Sequence, residues 1–229
     1  MDRTEIGRVI VTGGASGLGA AAIDAIEKAG GSPVCFDIRE PLRDVEHVLV
    51  DVGDTKAAEG SVVGVAERGE LNGVVTCAGI DSCGRLEDVP SDAWERVVRV
   101  NLLGTAAVVR ASIPYLESNG GKVVTVASTL GRRAVADATA YCASKFGVIG
   151  FTRALMAESA GRIGVTLLIP GGMHTAFFDS REDRYKPPSD ALLNRPEDVA
   201  SAVVFALQQP PGCEVREMVV CPSMESSYP

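Results

Sequence analysis

Short apolar runs recur along the chain, separated by longer stretches in which apolar residues return every three or four positions. The short runs are RVIVT (8–12), PVCFD (33–37), HVLVD (47–51), GVVTCAG (73–79), KVVTVAS (122–128), GVTLLIP (164–170) and EVREMVVC (214–221). Most are nearly free of polar residues, which predicts strands covered on both faces of a sheet. The longer periodic stretches predict helices over 17–30, 55–68, 91–118, 139–160 and 196–208. For the third of these, Ser91 or Asp92 is the expected N-cap, with Glu95 three residues after Asp92. About seven strands alternating with helices imply an open, doubly wound α/β fold with a parallel sheet. No repeat, low-complexity tract or linker breaks the alternation, so residues 1–229 read as a single domain.

Ligands on such sheets bind at the carboxyl ends of the strands. VTGGASGLG (11–19) follows the first run and leads straight into the first helix. Gly13, Gly17 and Gly19 form the pattern TGxxxGxG. A tight turn without side chains lets a pyrophosphate reach backbone N–H groups at a helix N-terminus. An ordinary glycine-rich turn is the alternative. Asp37 closes the second run, where a carboxylate accepts hydrogen bonds from ribose hydroxyls and repels a 2′-phosphate. No Lys or Arg stands at Ala15 or Ser16, and Arg39 lies two places past the acid, so NAD is expected over NADP. Asp51 closes the third run, where an adenine contact and a helix-capping role for it or Asp54 are both open.

Charge narrows the class of partner. The 229 residues include 22 basic and 30 acidic side chains, a formal net charge of −8. An acidic surface repels phosphate backbones and anionic lipid, so neither nucleic acid nor a membrane is an expected partner. No apolar run approaches the roughly 20 residues of a spanning helix. The start, MDRTEIGRVIV, lacks the ordered blocks of a signal peptide, and a cytoplasmic location is expected. The six cysteines form no CxxC pair, and neither His47 nor His174 has a partner at ligand spacing. A metal site is therefore not expected, and a Ser-His-Asp triad has little material.

The segment TAYCASKFG (139–147) carries candidate chemistry. Tyr141 and Lys145 are four residues apart on a predicted helix and so share one face. At about 5 Å and an effective dielectric of about 20, their attraction is about 3 kcal/mol, or roughly 2 pKa units. With the positive charge of an oxidised nicotinamide added, a phenol near neutral pKa is expected, poised as general acid or base. Ser128 ends the fifth run, 13 residues before Tyr141, where its hydroxyl can donate to a substrate oxygen. Cys142, beside the tyrosine, reads as an inert small helix residue.

Taken in order, TGGASGLG, Asp37, TCAG (76–79), Asn101, Ser128, YCASK (141–145) and PGGMHT (170–175) make a recognisable set. The chain resembles the short, single-domain type of the short-chain dehydrogenase/reductase family along nearly its whole length. The resemblance implies a Rossmann-type fold and an NAD(P)-dependent oxidoreductase acting on alcohols or carbonyls, as a homodimer or homotetramer. It implies catalytic roles for Asn101, Ser128, Tyr141 and Lys145, with Asn101 on a water-linked proton path to the lysine. Cofactor contacts would come from Gly13, Ser16, Gly17, Leu18 and Gly19 at the phosphates. Asp37, Asp51 and Val52 would serve the adenosine, and Cys77, Ala78 and Gly79 would lie along the cofactor. Tyr141, Lys145, Pro170, Gly171, Met173 and Thr175 would surround the nicotinamide end, Met173 through its backbone. The family's common Asn-Asn-Ala-Gly is here Thr76-Cys77-Ala78-Gly79, which removes amide hydrogen bonds between strands and predicts a modest loss of stability.

AFFDSREDRYKPPSDALLN (176–194) is charged and proline-containing, a composition that suits a lid over a small or medium alcohol or carbonyl substrate. An inert surface loop is the alternative. Expected pocket walls are Ser82, Leu130, Val135, Gly172, His174, Phe177 and Phe178. Apolar residues on more than one face of the helices at 91–118 and 139–160 predict helix-pair packing between subunits. The function expected is NAD(H)-dependent interconversion of a secondary alcohol and a ketone. A 3-oxoacyl-thioester reductase is a second reading, although the C-terminus lacks the Asp-Gly-Gly ending frequent in such reductases. A non-catalytic dinucleotide sensor would be expected to have lost Tyr141 or Lys145. A sugar-nucleotide epimerase would carry a larger C-terminal substrate domain.

Overall fold

The seven apolar runs pair in parallel as one sheet, in the order β3-β2-β1-β4-β5-β6-β7. The strands are β1 (Arg8–Thr12), β2 (Ser32–Asp37), β3 (His47–Leu49), β4 (Gly73–Thr76), β5 (Lys122–Val126), β6 (Gly164–Pro170) and β7 (Glu217–Val220). This computed structural model describes residues 4–179 and 181–225. The ends of the expected domain, and Ser180 within the expected lid, lie outside the described residues.

Alternating side chains of the central strands enter two separate cores, which is why those runs are apolar without interruption. Val9, Val11, Val75, Val124 and Leu168 pack with α1 (Gly17–Lys28) and α6 (Pro196–Leu207). Ile10, Val34, Val74, Val123 and Leu167 pack on the opposite side. The helices there are α2 (Thr55–Ala66), α4 (Thr105–Glu117) and α5 (Thr139–Glu158); α3 (Ser91–Val98) leads into α4. Successive strands run outward from β1 to one edge and from β4 to the other. The winding therefore reverses between β1 and β4, and a crevice opens at their carboxyl ends.

Several boundaries differ from the sequence expectation. The run 73–79 leaves the ladder after Thr76, because Cys77 N–H donates to Thr12 O at 3.2 Å and Ala78 N–H to Thr12 Oγ1 at 3.1 Å. The side chain of Thr12 thus replaces the next rung and turns residues 77–79 along the crevice. The helix at 91 is capped by neither Ser91 nor Asp92: Pro90 holds the cap position, and Asp92 Oδ1 accepts only its neighbour Ala93 N–H, at 2.9 Å.

The long helix predicted at 91–118 is not uniform, since Arg99–Gly104 winds as a π-helix between α3 and α4. Contrary to expectation, the continuous run Ser91–Glu117 is long and apolar enough to cross a membrane by length and composition, though half of its apolar window is buried. Val100, Val108, Val109 and Leu116 from this run pack into the core beside the sheet.

Candidate active site

At the β1 end of the crevice the site is made of backbone. Gly13 has φ +68°, and a Cβ there would stand 2.8 Å from Ala78 N and Cα. A Cβ on Gly19 would stand 2.1 Å from Gly13 O. Only glycine lets the turn after β1 fold so closely on itself and on residues 77–79. Ser16 occupies the N-cap of α1 with extended backbone and makes no side-chain capping bond, and the first turn carries no acid. Leu18 is buried in that turn and anchors it to the core. The first N–H groups of α1 therefore offer their donors and dipole to an anion.

Asp37, at the end of β2, leans over this turn. Its Oδ2 accepts Ala15 N–H and its Oδ1 accepts Arg39 N–H, both at 3.0 Å, and its side chain is 8% exposed. The Arg39 guanidinium donates to Ser16 Oγ at 3.1 Å. Asp51 is engaged elsewhere: it pairs with Arg96 at 2.7 Å and accepts Gly53 N–H at 2.8 Å. Burial pushes this carboxyl up, but the bonds from Arg96 and Gly53 outweigh that and leave it below the usual carboxylate range. The helix-capping role open to Asp51 or Asp54 falls to Asp54, whose Oδ1 accepts Ala57 N–H. Val52 is buried against Gly104. A glycine cradle, a free helix N-terminus and a carboxylate at the next strand end fit a dinucleotide.

At the other end, α5 brings Tyr141 and Lys145 onto one face, with Lys145 Nζ 5.7 Å from the Tyr141 ring centroid. Ser128, just past β5, stands near enough to the Tyr141 phenol to favour its ionised form, and its Oγ accepts Leu130 N–H at 3.1 Å. Lys145 is buried, 5% exposed, and its Nζ donates to Val126 O at 3.0 Å. The π-helical turn aims Asn101 inward. Its Oδ1 accepts Ile80 N–H at 2.8 Å, while Nδ2 donates to Ile80 O and Ser144 Oγ, both at 2.9 Å. One buried carboxamide thus ties the loop after β4 to the residue before Lys145. A Cβ on Gly79 would lie 3.6 Å from both Asn101 Oδ1 and Lys145 Nζ, so the glycine leaves room between them. The departure at Thr76 has a local cost, since its Oγ1 is buried without a partner among the described residues.

The two titratable groups shift in opposite directions from one cause. Burial pushes the Tyr141 phenol up to about 12, although the Ser128 hydrogen bond pulls it back; Asp81 raises it further and Arg181 opposes that. Burial pushes Lys145 down to about 8. The lowering expected from Lys145 alone is therefore not found in the cofactor-free chain, where the phenol lies above its ordinary value. Desolvation is the largest cause, and Lys145 Nζ donates to Val126 O. Burial also pushes the thiol of Cys77, beside the lysine, up to about 12.

Past β6, Gly171 N–H donates to Val220 O, which extends the pairing of Pro170 with β7. Met173 bridges to Asn194 and packs into the core shared with α1 and α6. Thr175 lies 3.4 Å from the position a Gly17 Cβ would take, so this segment reaches the dinucleotide turn. Phe177 then lays its ring against Tyr141, centroids 5.6 Å apart. His174 and Phe178 line an open cavity of about 740 Å³ together with Pro187, Pro188 and Leu193. That lining does not include Tyr141, Ser128 or Lys145. Of the other expected pocket residues, Leu130 and Ser82 lie on the loops after β5 and β4, Gly172 faces Leu193, and Val135 is exposed.

Two residues that the sequence did not single out stand between these groups. Arg181 pairs with Asp81 at 2.6 Å, across 100 positions of sequence, with side chains 15% and 5% exposed. Its guanidinium carbon lies 5.0 and 4.6 Å from the centroids of Phe177 and Phe178. The only sequence signal was the mixed charge of the segment, which does not identify a partner.

The chain matches the family model for short chain dehydrogenases over residues 7–186. It is 32% identical to the glycine betaine reductase ATRR of Emericella nidulans over 94% of its own length, although it spans only 19% of that protein. It is 29% identical to 2-(S)-hydroxypropyl-CoM dehydrogenase 3 of Xanthobacter autotrophicus, covering 87% of this chain and 88% of the relative. In three dimensions it superposes on an alcohol dehydrogenase from Thermococcus sibiricus, solved with 5-hydroxy-NADP, with a TM-score of 0.84. That match covers 96% and 97% of the two chains at 23% identity.

Proposed function

Because the chain belongs to the short-chain dehydrogenase family, oxidoreductases on a Rossmann-type NAD(P)-binding fold, we propose that it interconverts a secondary alcohol and a ketone using NAD(H). The observation that carries this reading is the meeting of Tyr141, Ser128 and Lys145 where the crevice ends, with Lys145 Nζ 5.7 Å from the Tyr141 ring centroid. The Xanthobacter relative, named for a 2-hydroxypropyl compound, lends support, since that group is a secondary alcohol.

Bound NAD(H) would supply the hydride acceptor or donor and, when oxidised, a positive ring charge. Gly13, Ser16, Gly17, Leu18 and Gly19 would hold its phosphates, and Asp37 its adenosine ribose. The Asp37 carboxylate disfavours a 2′-phosphate at that place, hence NAD over NADP. Asp51 and Val52 would border the adenine. Cys77, Ala78 and Gly79 would lie along the cofactor, with Pro170, Gly171, Met173 and Thr175 at the carboxamide.

Tyr141, kept protonated in the free chain, is an acid toward a carbonyl oxygen and, next to added positive charge, a base toward an alcohol. Ser128 Oγ holds that same oxygen. Lys145 supplies charge beside the phenol and hydrogen bonds to ribose hydroxyls. Asn101 sets the spacing of the Ile80 loop and α5. Phe177 excludes water from the phenol. Residues 1–229 would act as one domain in the cytoplasm, with 176–194 as its lid. Leu103 and Phe146, 44% and 45% exposed, would meet a second subunit in a homodimer or homotetramer.

The test is nicotinamide absorbance with a panel of secondary alcohols and ketones against NAD and NADP. Turnover of at least one alcohol or ketone, faster with NAD, is the expected result. No absorbance change across the panel, or a clear preference for NADP, would overturn the corresponding part of the reading.

A further inference from the structure

Arg181 has three donor nitrogens, and its surroundings satisfy two. Nη2 donates to Asp81 Oδ2 at 2.6 Å and Nη1 to Tyr185 O at 3.3 Å. Nε is buried and has no acceptor among the described residues. The guanidinium cannot turn to find one, because its other ends are tethered and Phe177 and Phe178 hold it at 5.0 and 4.6 Å. A buried donor without an acceptor is costly, and a fixed one waits for a partner that arrives from outside the chain. The place is relevant, since Phe177 touches Tyr141 at 5.6 Å.

The charge of the incoming group follows from Asp81. Its carboxylate accepts from Arg181, from Ser82 N–H at 2.7 Å and from Cys83 Sγ at 3.2 Å, and it balances the guanidinium charge. An anionic ligand would have to displace Asp81, leaving a buried carboxylate unpaired. An uncharged oxygen needs only the vacant Nε–H and leaves the ion pair whole.

We propose that Arg181, held by Asp81, is a specificity-determining residue that donates Nε–H to an uncharged carbonyl oxygen of an ester, amide or thioester group, carried by the substrate away from its reacting carbon. This rests on the reading of Tyr141 as the reacting centre.

Three probes test it: ethyl 5-oxohexanoate, 2-nonanone of the same chain length, and 5-oxohexanoate. The expected kcat/KM for the ester is about tenfold or more above that for 2-nonanone, the value of one hydrogen bond to a charged donor, with the acid poorest. Arg181→Lys keeps the charge and can keep the Asp81 pair but lacks Nε–H, so the ratio of ester to 2-nonanone should fall toward one. Asp81→Asn should raise the acid relative to the ester. Equal rates for ester and 2-nonanone in the unaltered protein, or an unchanged ratio in Arg181→Lys, would overturn the proposal. Calorimetric binding of ester and 2-nonanone to Tyr141→Phe with NADH separates this outcome from failure of the proposed reaction. Tighter ester binding that Arg181→Lys abolishes upholds the subsite whether or not Tyr141 acts; equal binding removes it.

Discussion

The two ends of the crevice are built from different material. Around β1 and α1 the contacts are backbone amides, glycines and one carboxylate: Gly13 against Ala78, Gly19 against Gly13, Asp37 on Ala15 N–H. Around the segment after β6 they are side chains that cross long distances of sequence: Phe177 on Tyr141, Arg181 on Asp81. Backbone groups and a helix terminus at the first end suit what dinucleotides share, phosphate and ribose, and Asp37 is the side chain there that could tell a free 2′-hydroxyl from a 2′-phosphate. The second can be altered one side chain at a time without disturbing the sheet. On the proposed reading, close backbone packing constrains the form of the cofactor end, and the choice of substrate would lie in the side chains of the other end.

The largest effect expected from any single change falls at the second end. On the proposed reading, Tyr141→Phe removes the proton that the reacting oxygen would exchange while keeping the ring against Phe177. Turnover should fall by about 10²–10⁴, the range for positioned acid–base groups. NADH affinity, measured by fluorescence titration, should change little. Loss of affinity together with rate would show that the two ends are one unit, and unchanged turnover would remove Tyr141 from the chemistry.

Gly19→Ala is the mirror experiment. A Cβ at 2.1 Å from Gly13 O forces the turn to open, and at least one N–H directed at the phosphates is lost. NADH binding should weaken about 10–100-fold, the value of one or more charge-assisted hydrogen bonds. With NADH raised to saturation, turnover should largely recover. Turnover that stays low at saturation would contradict the division of labour.

The contrast also explains what was legible in the sequence. The sheet could be read because both faces of its central strands are buried, leaving no polar interruption in Val9–Val11 or Val74–Val75. The cradle could be read because close backbone approach demands glycine at fixed spacing, and Tyr141 with Lys145 because a helix puts i and i+4 side by side. Strand ends were misread at Cys77 because Thr12 Oγ1, a side chain on another strand, replaces the ladder bond there. The π-turn around Asn101 left no pattern of its own. Arg181 and Asp81 were illegible for a simpler reason: nothing local distinguishes an arginine that finds a buried partner 100 residues away from one in solvent. Burial itself misled the estimate for Tyr141, since spacing reports the neighbouring charge but not the lost water.

Asp37→Ala probes the carboxylate of the backbone-built end. Without the carboxylate, ribose hydroxyls lose an ionised acceptor and a 2′-phosphate loses a repelling neighbour. The ratio of kcat/KM for NAD over NADP should fall by about tenfold or more. Arg39, already bonded to Ser16, is placed to pair with a 2′-phosphate once Asp37 is gone. An unaltered ratio would refute the ribose contact.

The smallest effect expected is thermodynamic and belongs to Lys145, where the two ends meet. Its folded-state value of about 8 lies below the ordinary 10.5, so the unfolded chain holds its proton more tightly than the folded one. Stability attributable to this residue therefore rises as pH climbs from about 8 to about 10.5, and the cost of burying the charged form is fully present below 8. Lys145→Met removes that cost. In cofactor-free protein the variant should gain stability over the unaltered chain at pH 7, by a few kcal/mol at most, and the gain should shrink by pH 10. Groups that titrate in this range without feeling Lys145 cancel in the difference; Cys77, whose charge couples to the lysine, leaves a remainder there. Denaturant midpoints for the pair at the two pH values give the answer. A gain that stays constant with pH would mean that Lys145 carries its ordinary affinity for the proton, and that the water excluded from the phenol is not excluded from the amine.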